Sequence, residues 1–498
     1  MEHAELVVVG GGTGNTVASA AAEAGLETVL IEEGPLGGTC LNRGCNPSKM
    51  LIHRATILDT IGSADRFGID ATVQAVDFEG IVQEVTETLS GIAAQMADRL
   101  AAQENLSLLR EHARFVDDRT IVAGDRRIEA DRVLLAVGSR PVVPPIDGLD
   151  AVDALTSAEA ISLDAQPESL VIVGGGYIGA ELGYFFEQVG TSVTIVHSGD
   201  RLLDREDEAI AAGFTDRARA RHDLVTGRRA TAVESHPDGV AVQAEGQTGS
   251  VTVTGEKLLL AVGRQPNTDR LGLEHTAVET DDRGFLRTNE YLETTAENVW
   301  AQGDAAGPTL FKHAGDYESR HAIDTVVHGE RRAVDYSAMP HAVFAEPQIG
   351  SVGATTQELR ATDRVFVVGE ARYEDTAMGR AKDLRGLAKV LASPEGTILG
   401  VHVLGHEAST LIHEAVIAMR SGSGHVRDVA GAIHAHPTLS KVIEAAFRDP
   451  DAKLEWPATA PRRTAGRRLR ARTARRRSAC GPRSSARSAG PARRTRER

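Results

Sequence analysis

The sequence predicts an α/β fold made of two doubly wound, parallel-sheet units followed by a smaller α+β domain. Three observations predict it. An apolar run at 6–9 leads into the glycine-rich turn Gly10-Gly11-Gly12-Thr13-Gly14-Asn15, and a second run at 170–173 leads into Gly174-Gly175-Gly176-Tyr177-Ile178-Gly179. Beyond Asp335 the pattern changes to alternating strands and a late helix. The chain has 498 residues, 41% hydrophobic and 25% charged. That is too long for one core at roughly 150 residues per domain, and too apolar for a disordered chain. No run of about 18 apolar residues exists, so a membrane span is not expected. The N-terminus enters a strand at once and does not read as a signal peptide.

Each element follows in order. Residues 6–9 form a buried strand, an Ala-rich helix covers 16–24, and a strand at 28–31 ends in Glu32. Strand, glycine turn, helix, strand and then an acid about 20 residues on is the arrangement of a dinucleotide site. The glycines make a tight turn and let backbone N–H groups approach a pyrophosphate, while the acid meets a ribose. Gly10, Gly12 and Gly14 serve the turn; Asn15 stands where a third glycine is usual. The second copy offers Gly174, Gly176 and Gly179, a helix to about 189 and a strand at 192–196. Two such Rossmann-like turns imply two nucleotide-binding domains. Between them VLLAVGSR (133–140) reads as a strand and turn, echoed by LLLAVGR (258–264), with Gly138, Ser139 and Gly263 on the turns. The chain returns through Gly303-Asp304, and the last region holds strands at 388–391 and 398–404 and a helix over 408–419.

Charge divides the chain in two. The net charge is −15, yet residues 457–498 contain 15 Arg, no Lys and one acid, leaving the body far more acidic than the total suggests. The chain has only seven Lys against 48 Arg. An acidic body with little lysine resembles proteins of salt-loving organisms, where high salt screens the self-repulsion of surface carboxylates. GC-rich codons would explain the arginines but not the carboxylates. Such a body argues against nucleic acid as a partner. The Arg/Pro/Ala/Ser tail has no periodicity, reads as disordered, and is expected to be dispensable.

The chemistry-bearing segment is GGTCLNRGCNPSK (37–49), directly after the first unit. Three cysteines in so long a chain are no secretory framework, so a disulfide here would be catalytic in a reducing, cytoplasmic setting. Cys40 and Cys45 can bridge if the turn at Gly44 tightens. Asn46-Pro47 reads as an N-cap with proline at the first helical position, or as a kink, with free N–H groups beside Cys45 that favour its thiolate. Two inert thiols or half a zinc site are the other readings. Zinc wants four ligands, and no second cysteine pair exists, so no metal site is expected.

With these motifs in this order, residues 4–448 resemble the pyridine nucleotide-disulfide oxidoreductases, the glutathione reductase and dihydrolipoamide dehydrogenase family. The resemblance implies FAD on 1–146 and a return segment 271–336, NAD(P) on 147–270, a dimerisation domain over 337–456, and a tail at 457–498. It implies that Gly38 and Thr39 join the FAD site, with Glu32 on the adenosine ribose and Asp304 on the ribityl chain. Lys49 and Glu181 would pair near the flavin, and Tyr177 would lid the nicotinamide pocket. Hydride from the nicotinamide would reach the flavin, which would reduce the Cys40–Cys45 disulfide; Cys40 would attack substrate and Cys45 would sit against the flavin. His436, before Pro437-Thr438, would serve as acid/base in the partner subunit of a homodimer. Lys441 stands where the family has an acid, which leaves Glu444, one turn on, as the expected partner of His436.

The resemblance also narrows the reaction. His197 stands where NAD-binding relatives place an acid, so His197 and Arg201 are expected to meet the 2′-phosphate of NADPH rather than the hydroxyl of NADH. Three activities compete: reduction of a small-molecule disulfide, dihydrolipoamide dehydrogenase, and mercuric reductase. Mercury is disfavoured because a vicinal C-terminal cysteine pair is missing and only Cys480 is present. Asn15 and the stretch 405–419 resemble the mycothione reductase branch. With the halophile-type composition, the expected substrate is bis-γ-glutamylcystine, and Arg43 is a candidate cation for its carboxylates.

Overall fold

The computed structural model describes residues 2–449 except Pro308, all within the compact unit Met1–Leu454; the basic tail and Cys480 lie outside the described residues. The fold is mixed α/β, and its first sheet grows from the opening strand. β1 (Glu2–Val9) starts earlier than the apolar run suggests, because Glu2, His3 and Ala4 pair with residues 128–130. Leu6, Val7, Val8 and Val9 are all buried, as expected of a parallel strand covered on both faces. β1 lies between β2 (Thr28–Ile31) and Arg126–Leu135, and Leu106–Leu109 and Val299–Ala301 extend the parallel part. Thr120–Ala123 and Ala113–Asp117 add an antiparallel edge. The crossover from β1 to β2 is α1 (Gly14–Glu23), which buries Val17, Ala18, Ala21 and Ala22.

A second parallel sheet repeats the plan. Its order is Asp223–Val225, Ser192–Val196, Ser169–Val173, Lys257–Leu260 and Ala154–Leu155. Between its fourth and fifth sequence strands lies an antiparallel sheet of Arg228–His236, Gly239–Gly246 and Gly249–Gly255, which the sequence reading missed. The signals were present: alternating VAVQAE bounded by Asp238-Gly239 and Thr248-Gly249 turn pairs. The third layer is a five-stranded antiparallel sheet ordered Pro340–Val343, Ile349–Gly353, Ile398–Leu404, Leu387–Ala392, Val367–Arg372. One helix was expected over 408–419; instead Ala408–Leu411 and His413–Arg420 are separate, meeting at Ile412.

A buried ion pair fastens the C-terminal sheet to the second nucleotide unit. Lys389 Nζ lies 2.8 Å from Asp207 Oδ1, with both side chains almost fully buried, and the Thr356 hydroxyl donates to Asp207 at 2.5 Å. Burial alone would raise the Asp207 pKa, but the Lys389 ammonium and Thr356 outweigh it and bring it down to about 2. Its stabilising share is therefore fully present above the usual carboxylate range and is lost as pH falls toward 2. Lys389→Met leaves a buried carboxylate without its cation and is expected to cost about 3–5 kcal/mol. Thermal melts of the two proteins at neutral pH, where the difference is greatest, check this.

Candidate active site

Two glycine turns face one long cleft of about 2720 Å³. They are built alike. Gly10 has φ +106°, and a Cβ there would sit 2.3 Å from the Ala136 carbonyl oxygen; Gly174 has φ +117°, and a Cβ would sit 2.3 Å from that of Ala261. Any other residue at either position would be strained and would clash with backbone. The echo between 133–140 and 258–264 is thus the floor under each turn. Gly14 supplies close helix–strand packing in the first unit, since a Cβ would meet Val8 at 2.8 Å and Ala136 at 2.9 Å. Asn15 turns back, its amide donating to the Gly11 carbonyl at 3.2 Å, and it does not line the cleft. Gly179 has the tighter role in the second unit, since a Cβ there would sit 2.0 Å from the Gly174 carbonyl oxygen.

The acid and its counterpart also correspond. Glu32 accepts hydrogen bonds from the N–H groups of Gly11 and Gly34, both at 2.7 Å. His197 takes the same place in the second unit: Gly175 N–H donates to its Nδ1 at 3.1 Å, and Nε2 is buried without a hydrogen-bond partner. An imidazole accepting at Nδ1 is assigned its proton on Nε2, which lies 3.6 Å from the Asp204 carboxylate. Arg201 departs from expectation. It is exposed, reaches the Glu208 carbonyl at 3.4 Å and does not line the cleft, whereas Arg205, Arg228 and Arg229 do. The cause is that the chain after His197 loops outward before returning at residue 203 toward Gly175.

The residues present fit FAD along the first unit. Gly12 and Gly38 leave bare backbone on the cleft, with a Cβ at Gly38 only 2.8 Å from Gly12 Cα. α1 begins with no side-chain cap and no acid in its first turn, so its N–H groups are free for a pyrophosphate. Thr39, Gly138, Gly303 and Asp304 line the same wall. Asp304 contacts Ser139, which accepts from Arg264 Nε at 2.8 Å. Behind them Glu318, which the sequence gave no sign of, accepts from Gly303 N–H at 2.5 Å and Tyr336 OH at 2.6 Å. Burial raises its pKa to about 7.

The cysteines project where the two units meet. α2 (Gly38–Arg43) ends at Gly44, and α3 (Cys45–Gly62) begins at Cys45 itself, not at Asn46 or Pro47. Gly44 has a φ of −146° and makes the corner; Ser48 N–H bonds its carbonyl at 3.1 Å. Pro47 then falls at the third helical position, where its missing N–H is one that would be unpaired anyway. Both cysteines are free thiols and line the cleft. The hydrogen bond from Cys40 lowers the Cys45 pKa to about 7, burial opposes this, and the Lys49 ammonium assists; the same bond and burial push Cys40 well up. Cys45 is therefore the thiolate of the reduced pair. Lys49 Nζ is 2.6 Å from Glu181 Oε2, and Glu181 Oε1 also accepts from Phe344 N–H at 2.9 Å. Glu181 is buried, so this pair has one fixed geometry. Tyr177 heads the helix Tyr177–Gln188 beside them.

The structure does not bring His436 and Glu444 to this group. His436 is exposed and absent from the cleft wall, and its neighbour Ile433 is fully exposed. Glu444 is taken by Lys441 and by Arg448 at 2.8 Å, and faces His434 Nδ1 at 3.8 Å rather than His436. His434 is held from the other side by Glu414 at 2.8 Å. The expected Glu444–His436 contact is thus replaced by a Glu444–His434 one, because His434 and not His436 packs inward onto the helix Ser440–Arg448. Among the described residues no group of three metal-ligating side chains is found, and no helix is long and apolar enough to cross a membrane.

Comparison with known proteins agrees with this geometry. The family model described as pyridine nucleotide-disulphide oxidoreductase matches residues 4–331, and that of its dimerisation domain matches 339–447. The chain is 36% identical over 459 residues to dihydrolipoyl dehydrogenase 2 of Haloarcula marismortui, covering 89% of this chain and 95% of that one. It is 34% identical over 460 residues to mycothione reductase of Mycobacterium tuberculosis, covering 90% and 99%. Among solved structures, the HOCl-induced flavoprotein disulfide reductase RclA from Escherichia coli superposes with a TM-score of 0.79 at 27% identity, covering 89% of this chain and 99% of that one.

Proposed function

Because the chain belongs to the pyridine nucleotide-disulphide oxidoreductase family, and is a flavoprotein disulfide oxidoreductase using FAD and NAD(P)H, we propose that it reduces the disulfide of a low-molecular-weight thiol at the expense of NADPH. The observation that carries the reading is the Cys40–Cys45 pair, opening onto one cleft between two dinucleotide turns with the Lys49–Glu181 pair beside it. Bound FAD supplies the relay of a nicotinamide's electron pair to the Cys40–Cys45 disulfide. The protein's own residues do the rest. Cys40 attacks a sulfur of the substrate disulfide, and the mixed disulfide is resolved by Cys45, whose low pKa makes it an available thiolate near neutrality. His436 of a second copy, paired through the dimerisation domain, takes the Cys40 proton as Cys40 attacks and delivers it to the departing thiolate. Its exposure beside the fully exposed Ile433 supports a role outside its own cleft.

NADPH is favoured by His197. A carboxylate in this place would accept from a ribose 2′-hydroxyl and repel a 2′-phosphate, and His197 brings no such charge. Arg205, Arg228 and Arg229 add positive charge on the same wall in place of the expected Arg201. The substrate reading is bis-γ-glutamylcystine: Arg43 and Lys312 line the cleft, Lys312 near Cys40 and paired with Asp316. A disulfide bearing several carboxylates suits such cations. Dihydrolipoamide oxidation is the second reading, supported by the Haloarcula relative and by the His-Ala-His-Pro-Thr segment.

Steady-state assays of purified holoenzyme in molar salt decide between them. The expected result is kcat/KM at least about tenfold higher with NADPH than NADH, equivalent to one charge-assisted contact. It is also expected to be higher for bis-γ-glutamylcystine than for lipoamide or glutathione disulfide. Comparable rates with lipoamide and NADH would favour the dehydrogenase instead.

A further inference from the structure

We propose that Glu206 and His341 are positioning residues that latch Tyr177 across the nicotinamide side of the cleft, so that the C-terminal sheet governs access of the nicotinamide. The inference rests on reading the second glycine turn as the nicotinamide dinucleotide site, and adds the residues that hold the ring over it.

Tyr177 follows Gly176 directly, and its side chain lines the cleft. Its hydroxyl donates to Glu206 Oε1 at 2.6 Å, and its ring stacks on Phe311 at 6.1 Å and on His341 at 5.9 Å between centroids. Glu206 is only 1% exposed. Its carboxylate collects three donors: Tyr177, His341 Nε2 at 2.8 Å and Ser351 Oγ at 2.8 Å. Two of the three, His341 and Ser351, lie on the strands Pro340–Val343 and Ile349–Gly353 of the C-terminal sheet. Burial opposes ionisation of Glu206, but the His341 bond and the other donors hold it as a carboxylate.

The base of this arrangement is fixed. Gln357 Nε2 donates to the Glu206 carbonyl at 2.7 Å, and the next residue, Asp207, is locked to Lys389. The ring of Tyr177 is the part that faces the cleft. If it swings away, Glu206 still accepts from His341 and Ser351, so a buried charge is never left bare. Opening thus breaks one charge-assisted hydrogen bond and the ring contacts with Phe311 and His341, enough to bias the closed state strongly without locking it. A pocket that is mostly closed binds its ligand more weakly by the closed fraction, and removing the latch returns that affinity.

Two readouts on oxidised holoenzyme test this without any disulfide substrate: iodide quenching of flavin fluorescence, and the NADPH concentration dependence of the anaerobic rise of the long-wavelength thiolate–flavin band. Tyr177→Phe and Glu206→Gln are each expected to raise the quenching constant and to lower the half-saturating NADPH by about five- to tenfold. The limiting rate of band formation in Glu206→Gln should stay within about twofold, and the double variant should match either single one. His341→Asn should move both readouts the same way by about threefold. If Glu206→Gln does not fold, Tyr177→Phe decides alone. Unchanged quenching and half-saturation in Tyr177→Phe would overturn the latch while leaving the functional reading intact. A wild-type enzyme in which neither nicotinamide raises that band would overturn both.

Discussion

Cys40→Ser holoenzyme is expected to lose disulfide turnover by about 10⁴-fold or more, since the variant lacks the attacking nucleophile and nothing else in the cleft replaces it. It should nevertheless keep a long-wavelength absorption band from the Cys45 thiolate against the flavin. The reason lies in the electrostatics of the pair. Cys45 is held near neutrality in pKa by a donor at position 40 and by the Lys49 ammonium, while Cys40 is pushed up by the same bond and by burial. Serine at 40 still offers a hydroxyl donor, so the Cys45 thiolate persists. Cys45→Ser should abolish turnover and lose the band. If Cys45→Ser keeps the band and Cys40→Ser loses it, the roles are reversed.

His436→Gln should lower disulfide turnover by about 10²–10⁴-fold, the range for loss of a general acid, while NADPH still reduces the Cys40–Cys45 disulfide. His436 is exposed and does not line its own chain's cleft, which gives this a sharper form. Cys40→Ser and His436→Gln subunits, each inactive as homodimers, are expected to recover activity when mixed after dissociation. In the hybrid, one cleft has Cys40 from one chain and His436 from the other, both native. A hybrid with no recovered turnover would mean that His436 acts within its own chain.

The local parts of this site were legible because each is encoded in a few consecutive residues. Gly10 and Gly174 announce themselves through left-handed backbone that other residues resist, and Cys40 and Cys45 through a five-residue spacing that one corner closes. Strand limits inside the parallel sheets were readable from apolar runs: Thr28–Ile31 and Ser192–Val196 match to the residue. What failed was long-range. Arg201 seemed well placed by its distance from His197 in sequence, but the loop carries it outward, and arginines 228 and 229 arrive from a sheet the reading had missed. Glu444 was assigned by helical spacing, which sets its neighbours on its own helix but not which histidine of the preceding loop packs inward. Glu206 meets His341 across 135 residues and Glu318 meets Gly303 through a helix turned back on the strand end, contacts that no local pattern encodes.

The central claim is that electrons from the nicotinamide reach substrate through Cys40 and Cys45. Alkylation of air-oxidised holoenzyme with iodoacetamide before and after anaerobic reduction by NADPH, with the modified residues mapped by mass spectrometry, tests it directly. Neither Cys40 nor Cys45 is expected to be labelled before reduction, and both are expected to be labelled after it. Labelling of the two cysteines that is the same with and without NADPH would contradict it.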